Sequence, residues 1–201
     1  MRRATLALAV AAGCVTPPAP EPASAPAPAA ARARHRVEDA PRELQPALAR
    51  AEAAVRTLRE QLLARLSAEI AAGGIAKAAG VYRREASELA VAISAQTGVA
   101  LGRVSARARG GAAPSRPWVG PLVEETSARR ASDVPAVVLD LGDRVGLLRP
   151  IAIAPLCLSC HGPAERVLPE VKLAADGPGP SDRAAFSEGD LRGFFWAEAR
   201  K

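Results

Sequence analysis

Apolar residues recur every three or four positions through the first folded stretch of the chain: Leu44, Leu48, Ala51, Val55, Leu58, Leu62, Leu66 and Ile70. That period lines one face of a helix, so residues 42–70 are predicted to be helical, with Pro46 accommodated only in the first turn. Arg, Glu and Ala fill most of the remaining positions, and Ala71-Ala72-Gly73-Gly74 ends the run. A second stripe, Ala79, Tyr82, Ala86, Leu89 and Ile93, predicts another helix from about Ile75 to Gln96, stopped by Gly98.

Beyond Gly98 the period shortens. Val99 to Ser105 reads as a short strand, and residues 106–121, rich in Arg, Gly, Ala and Pro, as a loop. Residues 121–131 form a short helix. Val134–Leu141 and Val145–Ile153 flank the turn signal Gly142-Asp143 and predict a β-hairpin. Residues 174–184 are Gly/Pro-rich loop. Residues 186–198, with Phe186, Phe194, Phe195 and Trp196, predict a closing strand that fills core space. Two long helices followed by antiparallel strands make an α+β domain over residues 41–201. No internal repeat is visible.

The segment ahead of it has a different character. In residues 1–13 two arginines precede an apolar run from Ala4 to Ala12, the form of a secretory signal peptide, too short to span a bilayer as a permanent helix. Ala11-Ala12-Gly13-Cys14 resembles a bacterial lipobox, which implies acylation of Cys14 and a lipid anchor in a membrane. Residues 14–40 then continue as a Pro/Ala-rich tether that lacks the apolar surface to fold. His35 lies in this tether. A signal and a lipid anchor place the protein in the periplasm or cell envelope.

The formal charge is +6, but basic residues are scattered among acidic ones, and no basic run is interleaved with aromatics. No nucleic-acid partner is expected. Composition matters most through scarcity. The chain has three Cys, two His and a single Met, the initiator, so its metal-binding options are few.

Against that census, Cys157-Leu158-Ser159-Cys160-His161 is C-x-x-C-H, the attachment pattern of haem c. Two thiols three residues apart on one turn reach the two vinyl groups of one porphyrin, and the following His is carried beneath the ring to the iron. Other readings exist. A thioredoxin-like dithiol also uses C-x-x-C, but at a helix start in a βαβ unit, whereas this motif follows a hairpin and precedes Gly162-Pro163. A zinc site needs four ligands, and the chain offers Cys157, Cys160 and only two His, of which His35 lies in the tether. A structural disulfide leaves His161 without a role. One Cys for lipid and two for one covalent haem use every cysteine.

Several stretches, in order, resemble a family of exported c-type haem domains with a PAS-like fold, found alone or in sensor kinases. They are Val81 to Ala90, SAQTGVALGRVS from Ser94 to Ser105, the strand Val145 to Ile153 leading into CLSCHG, and EGDLRGF from Glu188 to Phe194. The resemblance covers roughly residues 45–198. It implies a PAS-like antiparallel sheet around one haem c. Members commonly carry Arg-Asn-Pro after the Arg-x-Ser stretch, where this chain has Arg109-Gly110-Gly111. Where members often carry a helix Cys as second axial ligand, this chain has Tyr82, which makes Tyr82 a candidate iron ligand beside His161; the alternative is a core Tyr with a hydrogen-bonded hydroxyl. Arg103 is a candidate partner for a haem propionate, or a strand Arg paired with a carboxylate.

The reading is an exported monohaem c-type protein in redox or electron-transfer work. The alternative is a haem-based sensor of a diatomic gas or redox state. Either acts through a protein partner that the sequence does not identify. No distal His or other acid–base machinery marks an enzyme.

Overall fold

The computed structural model describes residues 33–107, 116–175 and 185–201, with the side chains of residues 80–84 and 173–175 excepted. The expected signal peptide, Cys14, most of the tether, part of the 106–121 loop and nearly all of the 174–184 loop lie outside the described residues. So does the side chain of Tyr82.

The arrangement is α+β and PAS-like. It begins earlier than composition suggests. Arg34–Arg36 form a short strand, β1, so the folded part starts seven residues before the Pro41 boundary expected above. Compositional bias hid this strand, because its hydrogen bonds come from a distant neighbour, not from its own sequence. Ala40 is already buried.

A helical stretch, α1, runs from Gln45 to Thr97 and is broken at Gly73 and Gly74. Gly74 has φ +78°, a left-handed conformation that side-chain-bearing residues rarely adopt, and this separates the two predicted helices. The break reverses the chain. Arg65 pairs with Glu85 at 2.6 Å, whereas a continuous helix would hold residues twenty apart about 30 Å away from each other. Contact with Glu85 also raises the Arg65 pKa further above its ordinary value. The second limb ends as predicted at Gly98, in the left-handed conformation, with its N–H donating to the Ser94 carbonyl at 3.0 Å.

The remaining elements are β2 (Ala100–Ser105), α2 (Val119–Thr126), β3 (Val137–Asp140), β4 (Arg144–Ala152), α3 (Leu158–His161), α4 (Pro169–Ala175) and β5 (Leu191–Arg200). Five strands form one antiparallel sheet in the order β1-β3-β4-β5-β2. β3 and β4 are the predicted hairpin. β5 is the closing strand, and it pairs along its length with both β4 and β2. α4 was not foreseen; it packs on α1, with Val171 fully buried.

Side-chain alternation gives the sheet two dry faces. Val138, Val145, Leu147, Leu101, Phe195, Ala197 and Ala199 meet the predicted helical stripe, Leu44, Leu48, Ala51, Val55, Leu58 and Leu62. Leu139, Leu148, Val104, Phe194 and Trp196 meet Trp118, Val119, Leu122 and Val123 from α2 and its lead-in. Each fully buried Leu or Phe contributes about 1.5–3 kcal/mol. Arg50 donates to the Arg200 carbonyl and Arg149 to Glu52, so α1 advances from the end of β5 towards its start. It contacts both α3 and α4.

Candidate functional site

The C-x-x-C-H motif sits on a short helical turn immediately after β4. Pro155 opens a 3-10 turn over Pro155–Cys157, where its fixed φ suits the first position, and α3 continues it. The Cys157 N–H donates to the Ala154 carbonyl and the Gly162 N–H to the Leu158 carbonyl, each at 2.9 Å. Residues three apart on such a turn share a face, so Cys157 and Cys160 are neighbours, while His161 is rotated by about 100° from Cys160. All three are half-buried.

The lead-in to this turn is strapped to the sheet. Ile153 donates to the Asp190 carbonyl and accepts from the Gly189 N–H, both at 2.9 Å. The Phe186 N–H donates to the His161 carbonyl at 2.9 Å, and the buried Phe186 ring meets the His161 imidazole edge-on, with centroids 6.2 Å apart. The segment just ahead of β5 therefore packs against the histidine.

Chemically, the donor set fits a covalent haem. The two cysteines are unbridged. Burial, and secondarily the proximity of Cys157, raises the Cys160 thiol above its ordinary value. Among the described residues, no three His, Cys, Asp or Glu side chains converge as a metal cage requires. Neither of the two best-formed surface depressions, one around Arg130 and Ala152 and one around Ser94 and Trp196, includes a motif residue. They are open hollows on the flank of the sheet.

The other predicted site residues are placed as follows. Arg103 lies on β2 opposite Phe195, with its guanidinium 6.0 Å from that ring. Tyr82 lies on the second limb of α1. His35 is on β1 opposite Val138, which pairs with Leu147 of β4. From Leu147 the strand climbs about 17 Å before it ends at Ala152, so His35 is remote from the motif.

Asp190 and Arg192, within the Glu188–Phe194 stretch, are expected from sequence to be structural, and the structure gives the Gly189–Gly193 run the following geometry. The pairing of β4 with β5 slips at Ile151/Ala152, so Arg192 stands in a β-bulge. Gly193 has φ +156°, and a Cβ there would collide with the Val104 carbonyl oxygen. Asp190 accepts the Ser187 N–H at 2.9 Å and faces Arg107 and Arg130 at 3.5 and 3.4 Å. Arg192 donates to Ser105 Oγ at 3.1 Å, and its guanidinium lies 5.7 Å from the Phe186 ring, with that of Arg107 at 4.6 Å. The signal that marked these residues was the Gly-Asp-x-Arg-Gly spacing itself.

No family model matches the chain, and no curated protein does. Among solved structures, it is similar to the crystal structure of the cyanobacterial heme-protein Tll0287, with a TM-score of 0.51 and 19% identity over 73% of this chain and 92% of that one. At that identity the likeness is one of fold.

Proposed function

We propose that this protein is an exported, monohaem c-type redox protein that passes electrons to or from a protein partner and is tethered to a membrane through Cys14. The observation that carries this reading is the turn after β4, where Cys157, Cys160 and His161 are presented together and half-buried. Its support is threefold: the unbridged thiols, the imidazole held by Phe186, and a structural neighbour described as a heme-protein. A bound haem supplies a reversible one-electron couple at iron. The chain's own residues do the rest. Cys157 and Cys160 would hold the group covalently and prevent its loss, His161 would ligate its iron, and Phe186 packs against that imidazole. Tyr82 is a further candidate iron ligand, on the sequence grounds given above. The protein is not proposed to be an enzyme.

A second reading, sensing of a diatomic gas or redox state through a partner, is favoured by the PAS-like fold and by the remoteness of His35, which excludes a second His from the iron. One set of spectra tests both. The full-length protein, expressed with its signal in a host that attaches haem c, is expected to give a pyridine haemochrome of the c type with one haem per chain. A chain without covalent haem would end the proposal. Under carbon monoxide, an unchanged ferrous spectrum supports the carrier, and rapid binding at low concentration supports the sensor. Tyr82→Phe is expected to alter the ferric charge-transfer band, and an unchanged band removes Tyr82 as a ligand.

A further inference from the structure

We infer that Asp190 is a positioning residue for His161: it closes the turn that grips both ends of the haem-bearing segment, and so sets the plane of the imidazole. The inference rests on the haem reading above. Its observation is the use made of two consecutive amides. The Phe186 N–H donates to the His161 carbonyl at 2.9 Å, and the next one, that of Ser187, donates to Asp190 Oδ2, also at 2.9 Å. The Asp190 N–H returns to the Ser187 carbonyl at 3.1 Å, so side chain and backbone together close one four-residue turn.

That turn is attached on both sides of the C-x-x-C-H motif. Ahead of the motif, the Ile153 N–H donates to the Asp190 carbonyl and the Ile153 carbonyl accepts the Gly189 N–H, each at 2.9 Å. At the end of the motif, Phe186 meets His161 twice, through its amide at the carbonyl and through its ring at the imidazole. Away from the motif, Arg130 donates to the Glu188 carbonyl at 2.7 Å and pairs with Asp190 at 3.4 Å. Gly189, at φ +79°, permits that approach, since a Cβ there would meet the Arg130 guanidinium. Arg107 faces the same carboxylate at 3.5 Å. Asp190 thus links the amide beside Phe186 to two guanidiniums. A metal-binding imidazole is oriented by the groups that hold its ring and backbone. Phe186 restrains both, and the turn that Asp190 closes fixes where Phe186 stands.

The test uses the full-length holoprotein with Asp190→Ala, Asp190→Asn and Phe186→Leu. Glu198→Ala, at the other end of β5, is the control for stability lost away from the motif. In Asp190→Ala, hydrogen-exchange protection of the Phe186 amide is expected to fall by about tenfold or more, because a bond to an ionised acceptor is among the stronger ones. The haem methyl resonances in the proton NMR spectrum of the ferric state, whose spread follows the plane of an axial imidazole, should shift with it. Asp190→Asn keeps an acceptor oxygen for the Ser187 N–H and is expected to recover both. Glu198→Ala should lower stability and leave the methyl shifts at their wild-type positions. Unchanged protection and methyl shifts in Asp190→Ala, with one haem per chain by haemochrome, would reduce Asp190 to an ordinary turn residue and overturn the inference while leaving the haem reading intact. If Asp190→Ala does not fold, Phe186→Leu decides: altered methyl shifts support the inference, and unaltered ones overturn it. A wild-type chain without haemochrome removes the haem reading and the inference with it.

Discussion

The two ends of β5 carry the same kinds of side chain in opposite arrangements. Near its C-terminus, Glu198 is buried, at 7% exposure. It accepts the Trp118 indole N–H at 2.7 Å and faces Arg116 and Arg144 at 3.5 Å each. Arg116 in turn lies over Trp196. Acid, arginines and aromatics there close on one another. At the start of β5, Asp190, Arg107, Arg192 and Phe186 repeat that vocabulary, but the arrangement leads outwards to His161 on a half-exposed turn. The difference lies in where each cluster leads: the Glu198 carboxylate is buried between Trp118 and two arginines inside the sheet, whereas the Asp190 cluster packs on Phe186, which bonds and meets the half-buried His161.

The comparison breaks most completely at the motif. Replacing Cys157 and Cys160 together by Ala is expected to reduce covalent haem to background by haemochrome while β5 and its Glu198 end still form, as judged by circular dichroism. Next in size, Glu198→Ala should cost about 2–3 kcal/mol in urea denaturation, because it strands the buried Trp118 donor and two guanidiniums. Haem per folded chain should not change. A loss below about 0.5 kcal/mol would fall within the range of an ordinary surface substitution, and the Glu198 end would then not be a closed network.

Gly193→Val attacks the other end. Its positive φ and the nearby Val104 carbonyl should cost about 1–3 kcal/mol in urea denaturation. A loss below about 0.5 kcal/mol would show that the bulge accommodates a side chain there. The smallest effect is on pH. Burial raises the Cys160 thiol, so in the haem-free chain alkylation of Cys160 is expected to set in at higher pH than in the urea-unfolded chain. The folded chain holds that proton more tightly. The group's contribution to stability is therefore full below the unfolded pKa and declines as pH rises through the folded one. Identical alkylation profiles would show that the turn is open to water.

Much of this was legible in the residues. The helical stripe from Leu44 to Leu62 is the buried face of α1, and Gly73-Gly74 marks its reversal. Gly142-Asp143 turns the hairpin, and Gly98 stops the second limb. These are local signals, since period, turn chemistry and capping act over a few residues. C-x-x-C-H was legible for the same reason, because its chemistry needs only one helical turn. β1 was not legible. Arg34–Arg36 carry no strand pattern and are ordered by pairing with β3, a hundred residues away. Phe186 was expected inside the closing strand, but it lies five residues before β5 and packs on His161.

The sequence by itself determined the two limbs of α1, the β3–β4 hairpin, the closing strand and the presence of the C-x-x-C-H motif, because these follow from spacing along the chain. Only the tertiary structure decided what surrounds that turn. It removed His35 to the far edge of the sheet, matched Glu198 with Trp118, and turned Arg192 through a bulge towards Phe186 and His161. Those outcomes depend on register between distant strands. A slip of one residue there moves a side chain to the opposite face, and no local pattern records it.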